Sequence, residues 1–431
     1  MSNKERRIAL EQTIAIIVFL AVILLIVFEK LHEAAAAVAG AAVLLLTHVL
    51  DVESAASYVD YNTIGVLVGM MLFVAVIKNS GLFEYISIKA AKFAKGDPWK
   101  IMMMFILVTA VLSGFLDNVT TVLLVGPMSI SISKILGLNP VPFLLTQIMA
   151  SNIGGTATLI GDPPNIMIGS AAGLTFLDFI LNATPVIIII MIVFIFMMKL
   201  VYGRHMEVEQ SAIDQVMLLD ENKAIEDPAL LKKSIVMIVL VVLGFICHSS
   251  LGIESSVIAI TAAAVMLIIG KQNVEEIIDD IEWTTIVFFT ALFIVVGGLV
   301  ETGVIDKLAN VIINLTADKP IVTMLILLWA SALLSTILNN IPFVAALIPL
   351  IIAMGNSGID VFPLWWAISL GACLGGNGTL IGASANIVLS NISSKHGYPI
   401  TFSRFLKIGF PTMIMSTLIS TVYLVVRYGI F

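Results

Sequence analysis

"SNIGGTATLIGDPPN" at residues 151–165 and "ACLGGNGTLIGASAN" at residues 372–386 are the same glycine-rich phrase written twice in one chain. Within them, "GGTATLIGDPPN" and "GGNGTLIGASAN" agree at seven of twelve positions. Both interrupt apolar segments long enough to enter a bilayer. Glycine, proline and small polar residues stop a helix there. Backbone groups freed by such a break cannot face lipid, so the break must line a cavity or be buried in protein. Interrupted apolar segments at matching places in two halves of a chain point to a transport site between repeats.

The match extends outward from this phrase. Thr63 and Ile64 pair with Thr285 and Ile286, Gly81 with Gly303, Asn118 with Asn340 and Pro127 with Pro349, all at an offset of 222. The offset is 221 through the glycine phrase, and Pro185 pairs with Pro411 after a further insertion. The two halves are copies, which divides the chain into a first repeat at 1–203, a polar linker at 204–231 and a second repeat at 232–431. Composition sets the class. Of 431 residues, 59% are hydrophobic and 12% charged, and the mean hydropathy is +1.09. A soluble fold could not cover so much apolar surface. The apolar runs are about 20 residues long, enough for a hydrocarbon core of roughly 30 Å. The expected class is an all-α polytopic protein of the plasma membrane. The basic start followed by a long apolar run, with no small-residue cleavage site, predicts a retained first helix and not a signal peptide.

Spans are predicted near 8–28, 33–50, 61–79 and 180–202, and near 232–249, 254–270, 283–301 and 408–428. Amphipathic stretches from 84 and from 304 read as interfacial helices. Each copy adds two irregular regions. Residues 99–136 and 320–356 carry polar centres, "LDNVTT" and "LNNIPF", and predict re-entrant hairpins with Asp117, Asn118 and Asn339, Asn340 at their tips. Residues 141–172 and 363–392 are helices broken by the quoted phrases. With the broken helix counted as one span, each copy has about five spans plus a re-entrant hairpin, an odd number of crossings, so the repeats should lie inverted. An external N-terminus puts most lysines and arginines, and the linker, on the cytoplasmic side.

Hairpin tips and breaks would meet near the midplane. The candidate binding residues are Asp117, Asn118, Thr120, Thr121, Asn152, Thr156, Thr158, Asp162 and Asn165 of the first copy. The second copy contributes Asn339, Asn340, Asn377, Thr379, Ser384 and Asn386. Each break supplies a helix N-terminus and a C-terminus, so on sequence alone the dipoles favour neither sign. Between residues 101 and 198 the only base is Lys134, while two acids sit at breaks. That suits a cation, a proton or a neutral hydroxy compound better than a dicarboxylate. Asp117 is the leading candidate for the titrating group, since acids at membrane depth are costly and functional; capping the following helix is its plainer role. In "GDPP", Asp162 reads as an N-cap before Pro163. Cys247 and Cys373 read as buried apolar residues, although Cys373 stands beside a break.

Other classes fit less well. His32, His48, His205, His248 and His396 show no metal-ligand spacing. There is no Gly-x-x-x-x-Gly-Lys loop, so ATP drive would require a separate ATPase subunit. An intramembrane aspartyl protease would need glycine at Leu159. A passive channel would use the breaks as a continuous pore.

"LDNVTT", "SNIGGTATLIGDPPN", "LNNIPF" and "GACLGGNGTLIGASAN" together resemble the ion transporter superfamily, in the branch of arsenite permeases, the P protein and sodium/proton antiporters. The resemblance covers essentially the whole chain. It implies an elevator-type secondary transporter of a small inorganic solute, driven by Na+ or H+ and using no other cofactor. The expected partners are solute, coupling ion, lipid and a second copy in a homodimer, with no nucleic acid. Superfamily members that carry dicarboxylates have Ser-Asn-Thr at each hairpin tip. Here the tips read Asp117-Asn118-Val119 and Asn339-Asn340-Ile341, so the resemblance points to arsenite-like efflux or cation exchange.

Overall fold

Helix starts are set by capping residues just ahead of apolar runs. Asp60, Asp97, Asp117, Thr175, Asp227 and Thr401 each accept from a backbone N–H of the helix that follows, which satisfies donors a bilayer could not. The computed structural model describes residues 3–28, 30–203, 206–316 and 319–429, so His205 lies outside them. The described residues form helices and no strands.

The first repeat runs α1 (Asn3–Val27), α2 (Glu33–Leu46), α3 (Val52–Ser57), α4 (Tyr61–Lys78), α5 (Leu82–Phe93), α6 (Pro98–Ser113), α7 (Asn118–Ile135), α8 (Val141–Gly155), α9 (Pro163–Ala172), α10 (Phe176–Asn182) and α11 (Thr184–Tyr202). The linker holds α12 (Gln210–Met217) and a 3-10 turn (Glu221–Ala224). The second repeat runs α13 (Pro228–Leu251), α14 (Ser255–Gly270), α15 (Val274–Asp279), α16 (Trp283–Glu301), α17 (Val304–Thr316), α18 (Pro320–Leu338), α19 (Asn340–Asn356), α20 (Phe362–Gly375), α21 (Ser384–Lys395) and α22 (Phe402–Tyr428). The repeats match element for element, with one exception. The segment predicted as one span at 180–202 is two helices meeting at Ala183, whereas α22 passes Pro411 unbroken. The second repeat also starts earlier than its hydropathy indicates. Asp227 caps α13 and Pro228 takes its first position, so four residues counted as linker belong to the helix. Eight helices among the described residues are long and apolar enough to cross a membrane.

Packing is reciprocal between the repeats. α4 lies against α14 and α2 against α16, and these are the same pair exchanged between copies. A Cβ on Gly65 or Gly69 would strike Ser256 or Ala259, and one on Gly40 or Gly298 would strike Val295 or Leu44, so each pair runs parallel. Near one face, α2 and α16 end together at Leu44 and Gly298. There Tyr58, just before α4, packs on Gly297 and donates to Glu301 at 2.7 Å. α4 and α14 begin together where Asn62 accepts from Ser256 N at 3.0 Å. Each helix therefore runs opposite to its own counterpart: the repeats are inverted.

Two bundles result. α1, α2, α4, α13, α14 and α16 form a framework, and α6–α9, α11 and α18–α22 form a second bundle that holds both hairpins and both breaks. α5 and α17 connect them. The glycines of the repeated phrase are needed where α8 and α20 press on the first arm of each hairpin. A Cβ on Gly154 would lie 2.2 Å from the Ala110 carbonyl, and one on Gly375 2.5 Å from that of Ala332.

Candidate functional site

Both breaks are built by the same side-chain clamp. Asn165 Nδ2 donates to the carbonyls of Thr156 and Thr158 at 3.2 and 2.9 Å, and Asn386 Nδ2 to those of Gly376 and Thr379 at 2.8 and 2.9 Å. Thr158 and Thr379 then tie each break to its own hairpin, through Gly114 O and Thr336 O. Thr156 donates to Asn152 O at 2.6 Å. The side chains of these candidate residues hold the unwound backbone. Their polar atoms are occupied by carbonyls that no lipid or helix could satisfy.

A chain of amides joins the copies at the centre. Asn118 Nδ2 donates to Asn152 Oδ1 at 3.1 Å, and Asn152 Nδ2 donates to Asn377 Oδ1 and Asn386 Oδ1, both at 3.0 Å. The symmetry-equivalent contact is Cys373, whose Sγ lies 3.5 Å from Asn165 Oδ1. Ser369 Oγ also donates to that oxygen, at 2.7 Å. Cys373 is fully buried behind the site and does not line it.

In front of these amides is a small chamber of about 20 Å³, room for one water or ion. Of the candidate residues, Asp117, Asn118, Asp162, Asn340 and Ser384 line it. The two aspartates reverse the parts assigned from sequence. Asp117 is the cap: its Oδ1 accepts from Thr120 N at 2.8 Å and its Oδ2 from Thr120 Oγ1 at 2.5 Å. Asp162 precedes α9 but makes no side-chain cap. Its oxygens accept from Asn340 Nδ2 at 3.3 and 3.4 Å, across the repeat boundary. At the second tip, Asn339 alone joins α18 to α19 with φ +64°. Its Nδ2 lies 3.4 Å from Ser384 Oγ, and its Oδ1 is buried with no hydrogen-bond donor.

Two acids that sequence analysis missed complete the lining, Glu33 at the start of α2 and Glu282 ahead of α16. A signal for Glu282 exists in the duplication. It pairs with Asp60 at offset 222, three residues before the duplicated Thr63 and Thr285. Six helices, α2, α7, α9, α16, α19 and α21, present their N-terminal ends to the chamber. The expectation that the dipoles would cancel is therefore corrected: the C-terminal halves of the breaks are turned away. Each N-terminus carries about half a positive charge, so six nearly offset four carboxylates. No lysine or arginine lines the chamber among the described residues.

Access is one-sided. A cavity of about 650 Å³ lies between the α1–α2 turn, the Asn339 tip and α21, and it shares Glu33 and Ser384 with the chamber. The equivalent place in the other repeat, between the α13–α14 turn and α9, holds about 300 Å³ and reaches neither the first hairpin tip nor the chamber. The larger cavity is on the linker's face, where α4 ends and Lys78 pairs with Asp280 at 3.1 Å.

Two oppositely running repeats, eight helices long and apolar enough to cross a membrane among the described residues, and a small acid-lined chamber between them fit a multi-pass membrane transporter. The chain belongs to the citrate transporter family (CitMHS), whose model matches residues 23–371. It is 40% identical to an uncharacterized transporter of Mycobacterium tuberculosis over 96% of this chain and 98% of that protein. It is 31% identical to the P protein of Homo sapiens over 96% of this chain and 60% of that one. Among solved structures, the Alcanivorax borkumensis YdaH transporter, described as having an unusual topology, shares the fold with a TM-score of 0.56. It covers 86% of each chain at 16% identity.

Proposed function

We propose that the chain is a secondary active transporter that moves a small cation, or an arsenite-like neutral hydroxy solute, against protons or sodium. The second bundle carries the solute past the framework in an elevator-type movement. The observation that carries this reading is the chamber itself: four carboxylates, about three offsetting positive charges from helix ends, no base, and room for one small species. A residual charge of about −1 is matched by one proton or one monovalent cation. A sodium/proton antiporter is the reading with the fewest added assumptions. Citrate, which the family's description names, would bring three negative charges to four acids, and ranks below it.

Purified protein in proteoliposomes tests this with sodium, arsenite, citrate and succinate under imposed proton and sodium gradients. Gradient-driven movement of sodium or arsenite is expected. Transport of citrate or succinate alone would overturn the solute class, and passive flux of all four at equal rates would overturn secondary transport.

A further inference from the structure

Glu282 stands on the framework, yet its side chain belongs to the chamber. Its one hydrogen bond is from Thr285 Oγ1 at 3.2 Å. Around it are Glu33 from α2, Asp117 from the first hairpin tip and Asp162 from the first break, all lining the same space of about 20 Å³. Lys78, at the end of α4 on this face, is paired with Asp280 at 3.1 Å. Any two of these carboxylates left ionised and unloaded repel strongly in a small, water-poor space.

Its duplicate, Asp60 at the head of α4, is in a different condition. Asp60 Oδ1 accepts from Thr63 N at 3.1 Å and from Ser170 Oγ at 2.9 Å, and Oδ2 accepts from Thr63 Oγ1 at 2.6 Å. Ser170 belongs to α9 of the moving bundle, so at that face the framework acid meets a hydroxyl of that bundle where Glu282 meets its carboxylates. The counterpart of Ser170 at offset 221 is Asn391, which stands exposed in the large cavity. A movement that exchanged the two repeats' conformations would bring Asn391 to Glu282, as Ser170 now sits on Asp60, and carry the chamber acids away. Glu282 is thus a framework carboxylate that confronts the site's acids in one of the two positions.

We infer that Glu282 is the residue that makes movement of the site depend on its load. A chamber neutralised by a proton or cation can rest against Glu282, whereas an ionised, unloaded one is driven from the linker face. This rests on the transporter reading above and deepens it, adding to the titrating acid of the moving bundle a framework residue that responds to its load.

The test reads position and requires no identified solute. Val388 lines the large cavity on α21, so a cysteine there (Val388→Cys, with Cys247→Ser and the buried Cys373 retained) reports opening at the linker face. Labelling by an impermeant maleimide is followed in linker-outward vesicles without sodium from pH 5.5 to 8.5, each rate normalised to the denatured protein after subtraction of the Cys247→Ser parent. The normalised rate should fall on the order of tenfold as pH rises, the effect of one unscreened like-charge contact. Glu282→Gln should flatten that slope, Glu282→Asp should keep it, and Asp60→Asn should leave it unchanged. An unaltered slope in Glu282→Gln overturns the inference, as does no slope in the parent protein when proteoliposomes still show gradient-driven transport. Absence of both slope and transport instead sinks the transporter reading. Asp162→Asn with an unchanged slope would show that the load is carried elsewhere.

Discussion

Asp117 commits both carboxylate oxygens to Thr120, whereas Asp162 commits neither to its own helix and meets Asn340 of the opposite repeat. Asn caps a helix about as well as Asp, so Asp117→Asn should fold and keep a pH-dependent profile, displaced because the chamber has lost one of its four carboxylates. Asp117→Ala should lose about 1 kcal/mol of stability with the cap, readable by thermal unfolding in detergent. Asp162→Asn should abolish dependence on the driving gradient, because it removes the uncapped acid beside the second tip. A pH series of uptake for the three proteins in matched vesicles decides this. A flat profile in Asp117→Asn with a normal one in Asp162→Asn would return the coupling role to Asp117. Asn118→Ala and Asn340→Ala should each lower transport by about tenfold or more with normal expression, since each leaves a buried partner, Asn152 or Asp162, without its donor. Wild-type rates in both would remove the tips from the site.

At the scale of elements, the linker is a docked segment and not a free tether. Val216 of α12 is fully buried, and α12 packs on α5 and α7. Lys92 on α5 donates to Leu219 O at 3.0 Å and pairs with Glu221 at 2.5 Å. Gly81, at φ +77°, faces Ala224 so closely that a Cβ would sit 1.8 Å from its carbonyl oxygen, while its duplicate Gly303 faces open space. The Lys92 ammonium holds the Glu221 carboxyl below its ordinary range. A depressed folded pKa means that the contact's contribution is present above the unfolded value, about 4.3, and is lost as pH falls below it. Labelling of a Val216→Cys reporter, normalised to the denatured protein, should therefore be slow at pH 7 and accelerate only below about pH 4. In Lys92→Ala it should be faster at pH 7 and change less with pH; identical profiles would show that the pair does not hold the linker.

For the molecule as a whole, the inverted packing places the α1–α2 turn, the head of α16 and the linker on one face, and the heads of α4 and α14 on the other. The charge count predicts that the linker face is cytoplasmic. A cysteine at Ser211, exposed on α12, should resist an impermeant thiol reagent in intact cells and react after permeabilisation. Reaction in intact cells would invert the orientation, and the large cavity would then open outward.

The duplication, the helical class, both hairpins and both breaks are legible in the sequence because each is a local matter: run length, cap, glycine or proline at a fixed offset. The amide pairs Asn118–Asn152 and Asn152–Asn386 involve residues that sequence analysis had already selected. Partnership is not local. Whether Asp162 caps α9 or reaches Asn340, 178 positions away, depends on how the inverted copies interlock. So does the pointing of six helix heads, and no tails, at one chamber. Glu33 and Glu282 look like ordinary acids at span ends, and only the pairing of α2 with α16 brings both to the site. Tertiary structure decided these points because the charge and access of a buried site depend on groups that the chain keeps hundreds of residues apart.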